Sequence, residues 1–312
     1  MVLRPTSRRT HRSIIIRNIV IFLVCMGTSY AAMRILIGQT LTEFVQQNFV
    51  PVVTRRPDAN YIDMQNIVND FTKNIKGTAS VVIYDVDTDR YSAIYNSDTP
   101  MNTASLYKIF PVYETYLRME DGRLAKSDVV YAESKDGKKV GYSREKCADL
   151  ALRESHSGCS EALISSIGWD ELDQIGWDNY SLENTKGLSS TAGDITKMLK
   201  VYYEHDDLSA ETYNKIKDSM LNQPKTKSKD GDKETENDWR QGLPSGFRSA
   251  KVYNKVGWLG EKDKWKIYND AAIIEFPDQR RTFIVVVMTT DTDPKLIADF
   301  GSKIEQAVIT NS

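Results

Sequence analysis

Ser105 and Lys108 stand three positions apart in MNTASLYKIFPVYETYLR, residues 101–118, a stretch otherwise rich in apolar and aromatic residues. On a helix that spacing puts both side chains on one face. Ser105 falls where a strand-like region passes into the helix, so it occupies the first turn, at the positive end of the helix dipole, with its own N–H free to donate. A buried amine at Lys108 binds its proton less tightly, and in the neutral form it can take the proton of a serine hydroxyl. The pair reads either as a nucleophile with its base or as a capping serine beside a lysine that snorkels to solvent. A second Ser-x-x-Lys, Ser143 and Lys146 in GYSREKCADLALRES, reads as structural, because Ser143 precedes a charged first turn and suits a helix N-cap.

Two further stretches bear on the choice. RESHSGCSEALISSIG carries Ser155-His156-Ser157 at a junction of predicted helices, and YNKVGWLG carries Lys255-Val256-Gly257 on a predicted strand. In this order the sequence resembles the class A β-lactamases and penicillin-binding D,D-peptidases, which are marked by S-x-x-K, S-D-N and K-T-G. The resemblance runs from about Tyr61 onward and takes in GLSSTAGDITKML, GLPSGF and NDAAIIEFP.

The resemblance implies a serine acyl-enzyme hydrolase that opens a β-lactam ring, or a D,D-carboxypeptidase that cleaves D-alanyl-D-alanine peptides of peptidoglycan. Ser105 would be the acylated nucleophile, Lys108 its proton partner and Ser155 the relay to the leaving nitrogen. Lys255 would hold the substrate carboxylate, and Gly257 would let substrate backbone approach the strand. The oxyanion would sit between the N–H groups of Ser105 and Trp258.

The departures are as informative. His156 and Ser157 stand where the pattern has Asp and Asn, so the amide that would orient a substrate carbonyl is shortened to a hydroxyl. Val256 stands at the substrate-binding Thr and lacks its hydroxyl. His156 reads as a packing or hydrogen-bonding residue rather than a base. The segment from Gly168 to Gly187, GWDELDQIGWDNYSLENTKG, is too short for the loop that carries the deacylating glutamate in class A enzymes and lacks its E-x-x-L-N pattern. Glu183 is the only substitute it suggests. A third reading therefore stands beside the two enzymes: a non-catalytic cell-surface ligand-binding module on the same fold.

The elements that must position these residues follow from periodicity. YIDMQNIVNDFTKNIK has apolar residues at helical spacing, and TASVVIYDVDTDRYSAIYN reads as a hairpin with DVDTDR at its tip. From Leu106 to about Met220 the pattern is mostly helical. AKVYNKVGWL, WKIYNDAAIIEF and TFIVVVMTT then read as strands, with a helix from Pro294. The expected fold is an α/β (α+β) sandwich: an antiparallel sheet backed by terminal helices, with an inserted all-helical subdomain. The resemblance makes that sheet five-stranded and β-lactamase/transpeptidase-like. Residues 222–241, charged and without apolar periodicity, read as a solvated loop.

Composition narrows the alternatives. The 312 residues carry 41 Lys and Arg against 43 Asp and Glu, so no polyanion-binding excess of positive charge stands out and nucleic acid is not an expected partner. His11, His156 and His205, with Cys25, Cys147 and Cys159, form no zinc-ligand spacing, so neither a metal nor another cofactor is expected. Arg4, Arg8, Arg9 and Arg12 precede an apolar run between Arg17 and Arg34, which reads as a transmembrane anchor or a signal peptide over residues 1–34. Residues 35–60 read as a stalk and residues 61–312 as the catalytic domain, outside the cytoplasm and either membrane-anchored or secreted. Export permits disulfides, and Cys147 and Cys159 form either a bridge or two buried thiols.

Overall fold

The computed structural model describes residues 59–311 apart from 135, 205–206, 222–224, 231–232, 239–240 and 262–263. The chain divides into two compact units, Met1–Phe49 and Val50–Ser312, and all described residues lie in the second. The expected anchor and nearly all of the expected stalk lie outside the described residues. Among the described residues no helix is long and apolar enough to cross a membrane.

The unit opens with helix α1 (Gln65–Lys73) and the hairpin β1 (Ala79–Asp85) and β2 (Arg90–Tyr95). A short strand β3 (Met101–Asn102) leads into a 3-10 turn (Ala104–Lys108) and helix α2 (Ile109–Glu120). The inserted block continues with β4 (Val129–Glu133), β5 (Lys139–Ser143), α3 (Arg144–Arg153), α4 (Ser157–Ser165), α5 (Trp169–Tyr180), β6 (Ser189–Ser190), α6 (Ala192–Glu204) and α7 (Ala210–Leu221). The chain closes with β7 (Lys225–Asp230), β8 (Lys233–Asp238), α8 (Leu243–Gly246), β9 (Lys251–Glu261), β10 (Lys264–Phe276), β11 (Arg281–Thr290) and α9 (Pro294–Asn311).

The main sheet has five antiparallel strands in the order β2-β1-β11-β10-β9, so its two halves come from opposite ends of the unit, as the sequence pattern predicts. Its central strands are covered on both faces. Val82, Tyr84, Ala271, Ile273, Ile284 and Val286 face the helical block, while Val81, Ile83, Ala272, Ile274, Val285 and Val287 face α1 and α9. This two-sided burial explains why β1 and β11 read as continuous apolar runs rather than alternating ones. On the terminal-helix side Phe71 stacks on Phe300 with ring centroids 4.5 Å apart. Ile297, Phe300, Ile304 and Val308 recur at helical spacing along α9 and bury that face.

Helix α2 is the axis of the helical block. It is buried almost all round, which accounts for the apolar sequence that follows Lys108, and Pro111 falls in its first turn, where no intrahelical N–H is lost. The structure departs from the sequence reading at two places. The helical stretch contains the hairpin β4–β5, and residues 225–238, expected as a loop, pair as the hairpin β7–β8. The second Ser-x-x-Lys is structural as expected: Ser143 caps α3 and its Oγ accepts from the N–H of Lys146 at 3.3 Å.

Candidate active site

Ser105 lies half-buried in the 3-10 turn, directly beneath the edge strand β9. A Cβ on Gly257 would stand 2.5 Å from the carbonyl oxygen of Thr103 and 2.8 Å from the backbone nitrogen of Ser105. Only glycine allows β9 to lie this close to the turn. The turn itself is strained, with Ala104 at φ 45°, a region non-glycine residues seldom adopt. It is held from several sides. Asn102 Oδ1 accepts from the N–H of Ala104 at 2.8 Å, and the N–H and Oγ1 of Thr103 both donate to the carbonyl of Leu188. Asn269 Nδ2, from β10, donates to the carbonyl of Asn102 at 2.9 Å.

Lys108 is 1% exposed and Lys255 fully buried. They meet on one oxygen: Ser155 Oγ accepts from Lys108 Nζ at 3.2 Å and from Lys255 Nζ at 3.0 Å. Lys108 Nζ also donates to the carbonyl of Ser155 and, at 3.3 Å, to Ser157 Oγ. Among the described residues its amine makes no hydrogen bond to Ser105 Oγ; its polar contacts are with Ser155 and Ser157. Burial pulls the Lys108 amine down to about 8, opposed by the charge of Glu161. Burial also pulls Lys255 well below the ordinary lysine range, with the charge of Lys108 adding to the effect and Asp270 opposing it. Two ammonium groups around one hydroxyl repel, and the cluster therefore favours holding fewer than two extra protons.

The loop that carries Ser155 is itself braced. Ser155 has φ 54°, and His156 caps α4, its Nδ1 accepting from the N–H of Cys159 at 3.1 Å. His156 thus supplies the acceptor that a capping Asp would supply, which fits the hydrogen-bonding role expected of it. Cys147 on α3 and Cys159 on α4 form a disulfide with Cα atoms 5.1 Å apart, so the bridge closes the segment that contains Ser155, His156 and Ser157. Gly158 lets the backbone of Glu133 in β4 pack against the start of α4, where a Cβ would come within 2.1 Å of its carbonyl oxygen.

The remaining expected residues divide. The carbonyl of Val256 accepts from Lys255 Nζ at 2.8 Å and so lies beside the lysine cluster. Backbone groups two residues apart on a strand point the same way, so the N–H of Trp258 shares the direction of the Val256 carbonyl. The side chain of Val256 does not: it is fully buried between the sheet and the terminal helices, so only its carbonyl is offered to a ligand. Glu183 is exposed in the turn after α5, and among the described residues no hydrogen bond or ion pair joins it to the cluster.

Sequence reasoning missed two polar residues, Asn254 and Asp270, buried behind the edge strand. Asp270 accepts from Asn254 Nδ2 and from the N–H of Leu243, each at 2.8 Å. Burial pushes its carboxyl up to about 7, opposed by Asn254, the Leu243 N–H and Lys255. The signal was present as an adjacent Asn269-Asp270 inside an otherwise apolar strand, where polar residues persist only if hydrogen-bonded.

The sheet, the serine–lysine turn under its edge strand and the helical block define a serine β-lactamase-like fold, of the kind shared by class A β-lactamases and penicillin-binding proteins. The chain belongs to the beta-lactamase enzyme family, whose model matches residues 63–308. It is similar to PBP-A at 17% identity and a TM-score of 0.66, over 80% of this chain and 97% of that one. A mutant of PBP-A, solved as an acyl-enzyme with penicillin G, matches with the same identity and TM-score over 78% and 95% of the two chains. A beta-lactamase from Chitinophaga pinensis matches at 14% identity and a TM-score of 0.66, over 78% and 98%. At these identities the likeness is one of fold. No curated protein matches the sequence.

Proposed function

We propose that this protein is an exported serine acyl-enzyme hydrolase that opens β-lactam rings through an ester on Ser105. The observation that carries the reading is the convergence of two buried amines, Lys108 and Lys255, on the single hydroxyl of Ser155, beside the turn whose Ser105 backbone packs under Gly257.

In this reading neutral Lys108 takes the proton of Ser105 Oγ, and the oxygen attacks the lactam carbonyl. The oxyanion is held between the N–H groups of Ser105 and Trp258, each donor contributing about 3 kcal/mol to the barrier in comparable sites. As the C–N bond breaks, Ser155 Oγ–H gives its proton to the leaving nitrogen and recovers one from the Lys108 ammonium. The substrate carboxylate pairs with Lys255. Its negative charge offsets the desolvation that otherwise drives the proton off that amine. Ser157 and the carbonyl of Val256 line the cleft as substrate contacts.

The same acylation serves a D,D-carboxypeptidase, and the short segment between α5 and β6 favours that alternative, because it carries no glutamate beside the cluster. PBP-A, which shares the fold, is the relative whose mutant was trapped with penicillin G, and this supports acylation by penicillins here. The Cys147–Cys159 bridge and the arginine-flanked apolar segment support a location outside the cytoplasm, with the chain either anchored or released. Labelling with a fluorescent penicillin tests the reading: the wild type takes the label and Ser105→Ala does not. Equal labelling of both, or of neither, removes the acyl-enzyme and leaves the ligand-binding module.

A further inference from the structure

We propose that His156 is a positioning residue that gates acylation by pH: its neutral imidazole pins the Ser155–Ser157 loop to α4 and so holds Ser155 Oγ on the two lysines, and protonation releases the pin. The inference rests on the acyl-enzyme reading above and names how that same site is regulated.

His156 is joined to the helices on both sides of it. Its N–H donates to the carbonyl of Leu150 in α3 at 3.1 Å. Its carbonyl accepts from the N–H of Ser160 at 3.2 Å and from Ser160 Oγ at 3.1 Å, and its Nδ1 accepts from the N–H of Cys159 at 3.1 Å. The residues flanking it are the ones that Lys108 touches, since Nζ donates to the carbonyl and Oγ of Ser155 and to Ser157 Oγ. Ser155 needs this support, because its φ of 54° lies in a region that non-glycine residues seldom adopt. The disulfide holds Cys159 to Cys147 in α3. When the bond to the ring is lost, the loop that carries Ser155 therefore moves, not the start of the helix.

An imidazole whose Nδ1 accepts a hydrogen bond carries its single proton on Nε2. Once Nδ1 takes up a proton from solvent, both nitrogens are donors, and Nδ1 faces the Cys159 N–H with nothing to accept. The new charge also stands at the positive end of the α4 dipole, next to the serine that two amines share. His156 is half-buried, so solvent protons reach it. Aspartate, which the S-D-N pattern has here, stays an acceptor throughout the range in which histidine changes charge, so the gate is particular to the histidine.

Among the described residues no carboxylate pairs with the ring. Tyr142 on β5 meets it edge to face, with ring centroids 6.0 Å apart. Lys108 from the turn and Lys255 from β9 are the cations at the neighbouring serine. On α3, Lys146 and Arg153 both pair with Asp149. Glu154 in the loop, Glu161 on α4 and Glu133 on β4, whose backbone packs against Gly158, make no hydrogen bond or ion pair with the imidazole among the described residues.

The test is the pH profile of acylation by penicillin G in wild type, His156→Asn and His156→Ala between about pH 5 and pH 8, read by intact mass after rapid quenching. Lys108 alone makes the rate fall with the first power of proton concentration toward acid. The wild type is expected to fall more steeply, toward the second power. His156→Asn keeps a capping acceptor that does not titrate and is expected to follow the first power. Relative to its own rate near pH 8, it should retain at least about tenfold more activity near pH 5 than wild type does. His156→Ala, without an acceptor, is expected to be slow throughout. Equal steepness in wild type and His156→Asn overturns the gate, and His156→Ala as fast as His156→Asn overturns the positioning role. On the substrate-free proteins, hydrogen-exchange protection of the Cys159 amide is expected to drop in acid in wild type and to persist in His156→Asn; unchanged protection in wild type overturns the pin. Absence of any wild-type adduct overturns the acyl-enzyme reading and the gate together, while the exchange data still decide the pin.

Discussion

Lys108 and Lys255, 147 positions apart in sequence, hydrogen-bond to the same atom, Ser155 Oγ, at 3.2 and 3.0 Å. Two buried amines that meet on one hydroxyl form an arrangement that costs stability and suits proton transfer, since neither amine can hold its proton as firmly as it would in water. Removing the hydroxyl should therefore damage chemistry more than folding. Ser155→Ala is expected to lower the acylation rate by about 100-fold or more, the range for loss of a proton relay. Stopped-flow acylation with a chromogenic penicillin or cephalosporin checks it, with the melting temperature measured alongside.

The pH dependence follows from Lys108. Its amine must be neutral to accept the serine proton, and burial brings it to about 8. Acylation should rise with pH, reach half its limit near pH 8 and level off above. The sign is the same for stability. A lysine whose folded-state affinity for its proton is lowered destabilises the protein while charged, and that cost fades as pH rises from about 8 toward the ordinary lysine value. Rate profiles of acylation between pH 6 and pH 10, flanking the range set by Lys108, read the first effect directly.

Gly257→Ala should injure both fold and site. The new Cβ would press on backbone atoms of Thr103 and Ser105, which cannot rotate away as a side chain can. Overpacking of this kind costs about 1–3 kcal/mol. Because β9 must withdraw from the turn, the spacing between the Ser105 and Trp258 N–H groups proposed to hold the oxyanion would change. The expected result is a lower melting temperature together with a loss of acylation larger than instability alone explains, read as labelling rate per folded molecule.

The Cys147–Cys159 bridge closes a short loop, and chain-entropy reasoning gives it about 3 kcal/mol. Since that loop carries Ser155 at a positive φ, reduction should also loosen the hydroxyl shared by the two lysines. A Cys147→Ala, Cys159→Ala double variant is expected to unfold at lower denaturant concentration and to acylate more slowly, by a factor that Ser155→Ala does not further multiply. A double-mutant comparison of acylation rates checks the second expectation.

Much of this was legible before the fold was known because its signals are periodic. The three closing strands, α9 and the apolar helix after Lys108 follow from burial patterns, and the Ser155 and Lys255 stretches stand out by order. The remainder depends on contacts that no local pattern encodes. The positive φ of Ala104 is imposed by Asn102, Leu188 and Asn269, which come from three distant segments. Asp270 matters through Leu243 and Asn254. The hairpin β7–β8 has no apolar face to find. Its register sets Lys225 opposite Asp238, Lys227 opposite Glu236 and Lys229 opposite Glu234, positions that an apolar period does not reveal.

The most direct measurement is peptide mapping by mass spectrometry after brief exposure of the protein to penicillin G. The account predicts one adduct of the penicillin's mass, on the peptide that contains Ser105, absent from Ser105→Ala and markedly reduced in Lys108→Ala. An adduct on another residue, or an unmodified Ser105 peptide at saturating penicillin, would contradict it.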